Sequence, residues 1–239
     1  MDLDELIKRG CKVYDIDIDD EKIKKFIKYK EMLKQWNEKI NLTAIKEDEG
    51  IIKKHFLDSI SIFSSGLIKE NSYVADIGTG AGFPGIPMKI IMPSLNVLLL
   101  DSLNKRINFL NEVIKELELR DIKTMHGRAE DIAKDNEFRE KFDIVTARAV
   151  ANLTVLSEYC IPYVKVGGYF IAMKGPSTDE EIRESKNAIG TLGGKLNKIV
   201  DVKIYEEEMQ HKLIIVEKVK STDKKYPRKA SQIEKKPLK

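Results

Sequence analysis

The feature that most constrains this chain is a glycine-dense turn that follows a short apolar run. The turn lies within residues 74–85, which read VADIGTGAGFPG. Glycine has no Cβ, so the backbone can adopt positive φ and bring bare N–H groups close to a ligand at the start of a helix. A second apolar run ends in Asp101, whose carboxylate could accept hydrogen bonds from both hydroxyls of a ribose. The two strand ends predict a site for a nucleotide-like ligand.

Length and composition favour one main α/β domain. The 239 residues are 42% hydrophobic, which is enough for a full core. No apolar run is long enough for a membrane span or placed as a secretory signal, so we expect a cytoplasmic protein without a membrane partner. Cys11 and Cys160 lie far apart and lack metal-ligand spacing, which predicts packing roles and no bound metal.

Positive charge is concentrated at the C-terminus. Residues 220–239 contain eight Lys or Arg side chains against Asp223 and Glu234, so this segment carries +6 and the rest of the chain −3, which together give +3. On charge alone, two interpretations stay open. The segment is either a tail that binds a polyanion or a solvated terminus.

Apolar spacing predicts a helical N-terminal unit followed by alternating strands and helices. Helical periodicity covers residues 20–40 and then 51–66. Parallel strands are predicted near 73–77, 96–100, 122–126, 142–147 and 168–173, with an antiparallel pair at 198–205 and 212–219. Helices are predicted near 85–92, 104–119, 152–164 and 178–190. The pattern indicates a helical cap over residues 1–68, a doubly wound domain over 69–219 and a basic tail over 220–239.

The glycine turn alone fits two kinds of enzyme. Residues 80–85 match the G-x-G-x-x-G pattern of dinucleotide-binding folds, which keeps a nicotinamide-dependent oxidoreductase open. Asp76 at the strand end, Gly78 before the pattern and the antiparallel C-terminal pair instead resemble an S-adenosylmethionine methyltransferase. These three features favour the methyltransferase.

Further segments narrow the resemblance to one family. They read NLT at 41–43, HFLDS at 55–59, GTGAGFPGIP at 78–87, DSLNKR at 101–106, RAVA at 148–151 and MKG at 173–175. In this order and spacing they resemble the bacterial 16S ribosomal RNA guanine-N7 methyltransferases, also called the glucose-inhibited division protein B family. The resemblance implies a Rossmann-like class I fold with a mostly parallel seven-stranded sheet. It also implies methyl transfer from S-adenosylmethionine to N7 of a guanine in 16S rRNA, free or in the small ribosomal subunit.

Two other functions stay open at this stage. The first is an S-adenosylmethionine methyltransferase with another substrate, such as a protein side chain or a small metabolite. The second is a non-catalytic module that binds S-adenosylmethionine or RNA. A monomer is the simplest expectation for any of them.

The resemblance also implies which residues bind S-adenosylmethionine. They are Gly78, Gly80, Phe83, Asp101, Ala129, Glu130 and Arg148. Among them, Ala129 and Glu130 are placed near the adenine. Arg148 is placed at the end of the fourth strand, where its guanidinium could hold the carboxylate of the cofactor or an RNA phosphate. Lys174, at the end of the fifth strand, is a weaker candidate for a phosphate contact.

No catalytic base is predicted. Guanine N7 carries a free lone pair, so a site can work by positioning and desolvation, with Arg148 as the candidate side chain for a catalytic role. The fourth strand ends Thr146-Ala147-Arg148, unlike the pattern of enzymes that methylate exocyclic amines, and Cys160 does not resemble a cytosine-C5 nucleophile. His55, His126 and His211 have no mutual metal-ligand spacing and are predicted to be structural.

The helical cap and the basic tail are expected to help hold RNA. Phosphate contacts supply much of the affinity for nucleic acids and make it strongly dependent on salt. Deleting the residues after Lys220 should therefore weaken RNA binding and leave S-adenosylmethionine affinity unchanged.

Overall fold

A seven-stranded sheet forms the centre of the molecule. The computed structural model describes residues 2–148, 151–176, 178–207 and 210–238. The strands are β1 (Tyr73–Ile77), β2 (Asn96–Asp101), β3 (Ile122–His126), β4 (Phe142–Arg148), β5 (Val164–Lys174), β6 (Gly194–Lys203) and β7 (Gln210–Lys218). Their order across the sheet is β3-β2-β1-β4-β5-β7-β6. β1 to β5 pair in parallel, and β7 runs antiparallel to β5 and β6. The predicted mostly parallel sheet with an antiparallel C-terminal pair is confirmed.

The central strands of the sheet are buried on both faces, as their apolar runs predict. In β2, Leu99 belongs to one hydrophobic core, and Leu98 and Leu100 belong to the other, because successive side chains point to opposite faces. Cys11 is buried in the first core and Cys160 in the second, and both are free thiols. The predicted packing role of the two cysteines is confirmed.

β5 begins earlier than the sequence pattern indicates. The pattern predicts a strand near 168–173, but the strand starts at Val164. Gly167 has a φ of 84°, and a Cβ on Gly168 would lie 2.7 Å from the carbonyl oxygen of Asp143 on β4. The register between the two strands shifts at the same place. The glycine pair is therefore a bulge inside the strand, and only glycine tolerates both its backbone angle and its closeness to the neighbouring strand.

The helices that precede β1 pack on the first face of the sheet. The elements are α1 (Leu3–Lys12), α2 (Asp20–Asn37), α3 (Asp48–Ile51), a π-helical turn (Ile52–Leu57), α4 (Asp58–Ile60) and a 3-10 turn (Ser61–Ser65). α1 lies outside the sequence predictions, and the predicted helix over 51–66 is a composite with a π-helical turn inside it. Tyr29 of α2 and Phe56 of the π-helical turn share one core with Leu99 of β2. The helical N-terminal unit is thus built onto the sheet.

The remaining helices connect the strands or follow them. They are α5 (Gly85–Ile91), α6 (Asn104–Glu116), α7 (Ala129–Ile132), α8 (Leu153–Cys160), α9 (Asp179–Thr191) and α10 (Ala230–Lys235). α5 and α6 contribute to the first core, while α8 and α9 contribute to the second. Within the described residues, no helix is both long enough and apolar enough to cross a membrane.

The C-terminal segment folds back onto the second face of the sheet. Glu158 of α8 is 1% exposed, and its carboxylate accepts hydrogen bonds from the backbone N–H of Arg228 at 2.9 Å and from its Nη2 at 2.7 Å. Arg139 donates to the carbonyl oxygens of Thr222 and Tyr226 at 2.9 Å each. Ile233 of α10 is fully buried. The alternative of a solvated terminus therefore does not describe this segment.

Replacing Arg228 by Ala should destabilise the fold. The change leaves the buried Glu158 carboxylate without its counter-charge, which costs about 3–5 kcal/mol for a broken buried pair. The free energy of unfolding, measured by denaturant titration, should fall by that order. Lys225→Ala removes an exposed charge from the same segment and serves as the control. Arg228→Ala combined with Glu158→Gln should recover part of the loss, and an equal loss in the single and double variants would contradict this account.

Candidate functional site

A cleft of about 550 Å³ lies at the carboxyl ends of β1, β2 and β4. This is where open parallel sheets bind ligands, and the volume suits a molecule of nucleoside size. All seven predicted site residues line it: Gly78, Gly80, Phe83, Asp101, Ala129, Glu130 and Arg148. The structure therefore brings together side chains and backbone from four separate segments.

The glycine turn is held in shape from behind by Asp76. This residue is fully buried, and its Oδ2 accepts hydrogen bonds from the Thr79 hydroxyl at 2.6 Å and the Gly85 N–H at 2.8 Å. Its Oδ1 has no partner among the described residues. Asp76 does not line the cleft, so it acts on the turn and not on a ligand. Burial raises the pKa of the Asp76 carboxyl to about 6.

The helical N-terminal unit reaches the same turn through α2. The Tyr29 hydroxyl donates a hydrogen bond to the carbonyl oxygen of Ala81, and a Cβ on Gly82 would lie 2.7 Å from that hydroxyl. Gly82 has a φ of 99°, so both its backbone angle and this close approach require glycine. The turn is thereby clamped between Asp76 on one side and α2 on the other.

Asp101 lines the cleft, and both of its carboxylate oxygens accept hydrogen bonds from the protein. Oδ2 accepts from the Gly80 N–H at 2.9 Å and from Arg106 Nη1 at 3.2 Å, and Oδ1 accepts from the Leu103 N–H at 2.9 Å. The residue is 2% exposed. A carboxylate has about four lone-pair positions, so the fixed group retains acceptor capacity for a ligand hydroxyl. Arg106, which the sequence prediction did not include, lines the cleft beside it.

Phe83 forms the apolar wall of the opposite end of the cleft. The His55 ring stacks on it with centroids 4.7 Å apart and an interplanar angle of 14°. The Arg148 guanidinium carbon lies 4.8 Å from the centroid of the same phenyl ring. Leu42 also lines the cleft. This end therefore combines apolar surface with one cation.

Arg148 is held by partners within the protein. Its Nη1 donates to Asp58 Oδ2 at 2.8 Å and to the Lys54 carbonyl oxygen at 3.1 Å, and its Nη2 lies 3.2 Å from His55 Nδ1. The side chain is 14% exposed, so the alternative of a free surface arginine is excluded. Ala149 and Val150, which belong to the RAVA segment, lie outside the described residues.

The three histidines lie in different surroundings. His55, predicted to be structural, lies in the cleft wall, and burial together with Arg148 lowers its pKa to about 4, so it is neutral at pH 7. His211 Nδ1 lies 2.6 Å from Asp58 Oδ1, and His126 Nε2 lies 3.1 Å from the Ser102 carbonyl oxygen. The NLT and HFLDS segments were the sequence signal for Leu42 and His55, but periodicity alone placed His55 on an apolar helix face. No group of three or more possible metal ligands was found in the described part of the chain.

A further part of the cleft wall includes a residue of the C-terminal segment. Ala129 and Glu130 lie there, the Tyr163 hydroxyl donates to the Ala129 carbonyl oxygen at 2.6 Å, and Glu130 is 6% exposed. Tyr159 of α8 and Glu234 of α10 complete this wall, which sequence reasoning missed. Glu234 lines the cleft, so deleting the residues after Lys220 would remove part of its wall, and the unchanged S-adenosylmethionine affinity expected for that deletion stays a prediction.

Lys174 does not contribute a free charge to the cleft. Its ammonium group lies 2.8 Å from a carboxylate oxygen of Glu181 and also donates to the Ala151 carbonyl oxygen. The side chain is 10% exposed. Its charge is paired within the protein, and the suggested phosphate contact stays a prediction.

The cleft fits S-adenosylmethionine in shape and in chemistry. A Cβ on Gly80 would meet nothing within 4 Å, so the turn borders open space. A fixed carboxylate at one end suits ribose hydroxyls, and an apolar wall with a cation suits the methionine part with its carboxylate. The surrounding backbone positions each of these groups before a ligand arrives.

The chain is similar to one family over most of its length. The sequence profile described as "GidB: rRNA small subunit methyltransferase G" matches residues 22–212. A protein of Clostridium tetani named ribosomal RNA small subunit methyltransferase G is 57% identical over 235 residues, which are 98% of each chain.

Solved structures show the same fold at lower identity. The M. jannaschii TYW2 in complex with AdoMet is 19% identical with a TM-score of 0.52, over 68% of this chain and 77% of that one. A SAM dependent methyltransferase from Aquifex aeolicus is 18% identical with a TM-score of 0.51, over 70% of this chain and 92% of that one. The predicted Rossmann-like class I methyltransferase fold is thereby confirmed.

Replacing Asp76 by Asn should change how stability depends on pH. The folded-state pKa of about 6 lies above the ordinary value of 3.8, so the folded protein binds this proton more tightly than the unfolded chain. Wild-type stability should therefore fall relative to Asp76→Asn as the pH rises from about 4 to 6, by on the order of 3 kcal/mol. Denaturant titrations of both proteins from pH 4 to pH 7 measure this difference, and parallel curves would contradict it.

Proposed function

The chain belongs to the rRNA small subunit methyltransferase G family, and on this basis we propose that its cleft binds S-adenosylmethionine for transfer of a methyl group to N7 of a guanine in 16S rRNA. The chain is an S-adenosylmethionine-dependent rRNA methyltransferase, as the sequence resemblance predicted. The guanine, its N7 atom and the residue roles below are the proposal. The observation that supports them is that all seven predicted cofactor residues line one cleft.

In this proposal, different residues of the cleft contact different parts of the cofactor. Asp101 accepts hydrogen bonds from the ribose hydroxyls, and Ala129 and Glu130 border the adenine. The turn with Gly78 and Gly80 approaches the methionine part. When bound, S-adenosylmethionine supplies an electrophilic methyl group on a sulfonium centre. Phe83 covers that end of the cleft and excludes water from it.

The chemistry needs positioning and no base. Guanine N7 presents a lone pair, so the protein has to hold the base in line with the methyl group and exclude water. His55 has a pKa of about 4 and accepts a hydrogen bond from Arg148 through Nδ1, so at pH 7 it is a neutral, partnered ring. Its stacking on Phe83 instead supports the wall against which a base can lie. A guanine inside structured RNA must be exposed to enter the cleft.

RNA phosphates are proposed to be held by exposed cations around the cleft. Arg128 lies in the cleft wall and is exposed, and Lys229 and Lys235 are exposed on the segment that carries Glu234. Contacts of this kind make binding strongly dependent on salt. The helices before residue 69 and the segment after Lys220 are proposed to share this role, with the protein acting as a monomer in the cytoplasm on the small subunit or its RNA.

Replacing Asp101 by Ala should weaken the binding of S-adenosylmethionine by about 1–3 kcal/mol, or roughly 5- to 150-fold in Kd. The ribose hydroxyls lose a charged acceptor, and the Gly80 N–H loses the group that fixes it. Isothermal titration calorimetry measures the change. Arg106→Ala leaves the carboxylate in place and should have a smaller effect. Equal affinity in Asp101→Ala and wild type would mean that Asp101 is only a structural residue at the end of β2.

Mapping of methyl groups tests the proposed reaction directly. Purified protein, labelled S-adenosylmethionine and small-subunit RNA should give one N7-methylguanine in 16S rRNA, located by cleavage at the modified base. RNA from a strain that lacks the protein should be the better acceptor. Labelling at another atom or of another molecule would support the alternative substrate, and absence of transfer with tight cofactor binding would support the non-catalytic module.

A further inference from the structure

A buried carboxylate joins three separate parts of the chain behind the cleft. Asp58 begins α4 directly after the π-helical turn, and its side chain is 5% exposed. Oδ2 accepts a hydrogen bond from Arg148 at the end of β4, and Oδ1 from His211 on β7. Asp58 does not line the cleft, whereas Arg148 does. The carboxylate is therefore one residue removed from any ligand.

We propose that Asp58 is a positioning residue for methyl transfer, which holds the Arg148 guanidinium over the Phe83 ring at the methionine end of the cleft. This inference rests on the proposed function and assigns to it a residue outside the ligand-contacting set.

Arg148 needs such a partner because its side chain is long and flexible. An arginine side chain loses much rotamer freedom when it is fixed, and a cation beside an aromatic ring is held only weakly by that ring. Asp58 supplies a charge-assisted hydrogen bond of 2.8 Å, and the Lys54 carbonyl oxygen takes a second N–H. The negative charge also compensates the guanidinium, which is 14% exposed. Without Asp58, the Arg148 side chain would favour a rotamer that points toward solvent.

The state of His55 supports the same arrangement. Its Nδ1 lies 3.2 Å from Arg148 Nη2, which can only donate, so Nδ1 accepts and Nε2 carries the proton. Nε2–H then donates to the Thr43 hydroxyl oxygen at 2.7 Å. A neutral ring is required for Nδ1 to accept, and the lowered pKa of His55 meets that requirement. Arg148 is thus held by the Asp58 carboxylate through Nη1 and by the His55 imidazole through Nη2.

His211 fixes the second oxygen of Asp58. The hydrogen bond to Asp58 raises the pKa of His211, and Arg148 and Glu207 are the other charged groups that act on it. With one oxygen held by β7, the carboxylate cannot rotate freely to follow Arg148. The orientation of Arg148 is therefore set by the packing of α4 against the sheet.

A double-mutant cycle tests the proposal. Asp58→Asn, Arg148→Ala and the double variant are compared with wild type for cofactor Kd by calorimetry and for kcat and KM of rRNA methylation. Asp58→Asn should lower kcat/KM for the cofactor by up to about 100-fold, the loss expected from a misplacement near 1 Å. In the Arg148→Ala background the same change should have little further effect, because Asp58 acts through Arg148. Additive effects, or values for Asp58→Asn within twofold of wild type, would overturn it.

The control lies at the other end of the same strand. Asp143 at the start of β4 pairs with Lys165 and accepts a hydrogen bond from the Tyr73 N–H at 2.7 Å. Asp143→Asn removes a more exposed ion pair on the same strand, at residues that do not line the cleft, and should leave the cofactor Kd unchanged. If Asp58→Asn fails to fold, His211→Ala should shift Kd and kcat/KM in the same direction by a smaller factor, again only when Arg148 is present. Equal values for His211→Ala and wild type would then overturn the proposal.

A histidine titration gives a readout that needs neither cofactor nor activity. The chain has three histidines, so each ring signal is assignable in carbon-13 NMR. Asp58→Asn should lower the pKa of His211, which the hydrogen bond to Asp58 raises. An unchanged pKa of His211 in Asp58→Asn would overturn the arrangement itself. If the cycle in cofactor Kd is non-additive but wild-type protein does not methylate 16S rRNA, the proposed function fails while the positioning of Arg148 stands.

Discussion

The site depends on one buried carboxylate that ties the end of β1 to the beginning of α5. Asp76 Oδ2 accepts from Thr79 and Gly85, which lie on the two sides of the glycine turn. The hydrogen bonds fix the path of the turn, and with it the position of Gly80, whose N–H is bonded to Asp101. The carboxylate in turn is kept from water by the turn that it holds. The shape of the turn, the position of the Gly80 N–H and the start of α5 are therefore set by a single group that does not line the cleft.

The helices that precede the sheet support the wall of the cleft at Phe83. Tyr29 and Phe56 stack with centroids 5.1 Å apart, and Tyr29 approaches Phe83 at 5.6 Å. The π-helical turn contains His55 and leads directly into Asp58, which brings a neutral ring and a buried anion to the same side of Phe83. Extra turns of this type are frequent at functional sites because they redirect side chains within a helix. The aromatic contacts make the wall rigid, and the anion gives Arg148 a fixed direction.

Much of this arrangement could be predicted from residues adjacent in sequence. The apolar strands, the glycine turn and Asp101 mark a ligand edge, and the ordered motifs placed seven residues that line one cleft. The missing members act through long-range contacts: Asp58 meets Arg148 and His211, and Glu234 reaches the cleft from the C-terminus. Periodicity describes how one segment faces the core, so it showed His55 as a buried helix residue without its neighbour Phe83. Likewise, the predicted strand near 168–173 began too late, because the bulge at Gly167 and Gly168 shows itself only through the partner strand.

Charge distribution gives the last constraint on how the molecule works. The C-terminal segment carries the excess positive charge, yet it is anchored by Arg228 to the buried Glu158 and contributes Glu234 to the cleft wall. Its exposed lysines are thus fixed relative to the ligand site, unlike charges on a free tail. A phosphate bound there would sit at a defined distance from Phe83 and Arg148 at the far end of the cleft. Under the proposed function, the RNA backbone and the target base would be held by the same surface, which is the condition under which phosphate binding can also orient the target.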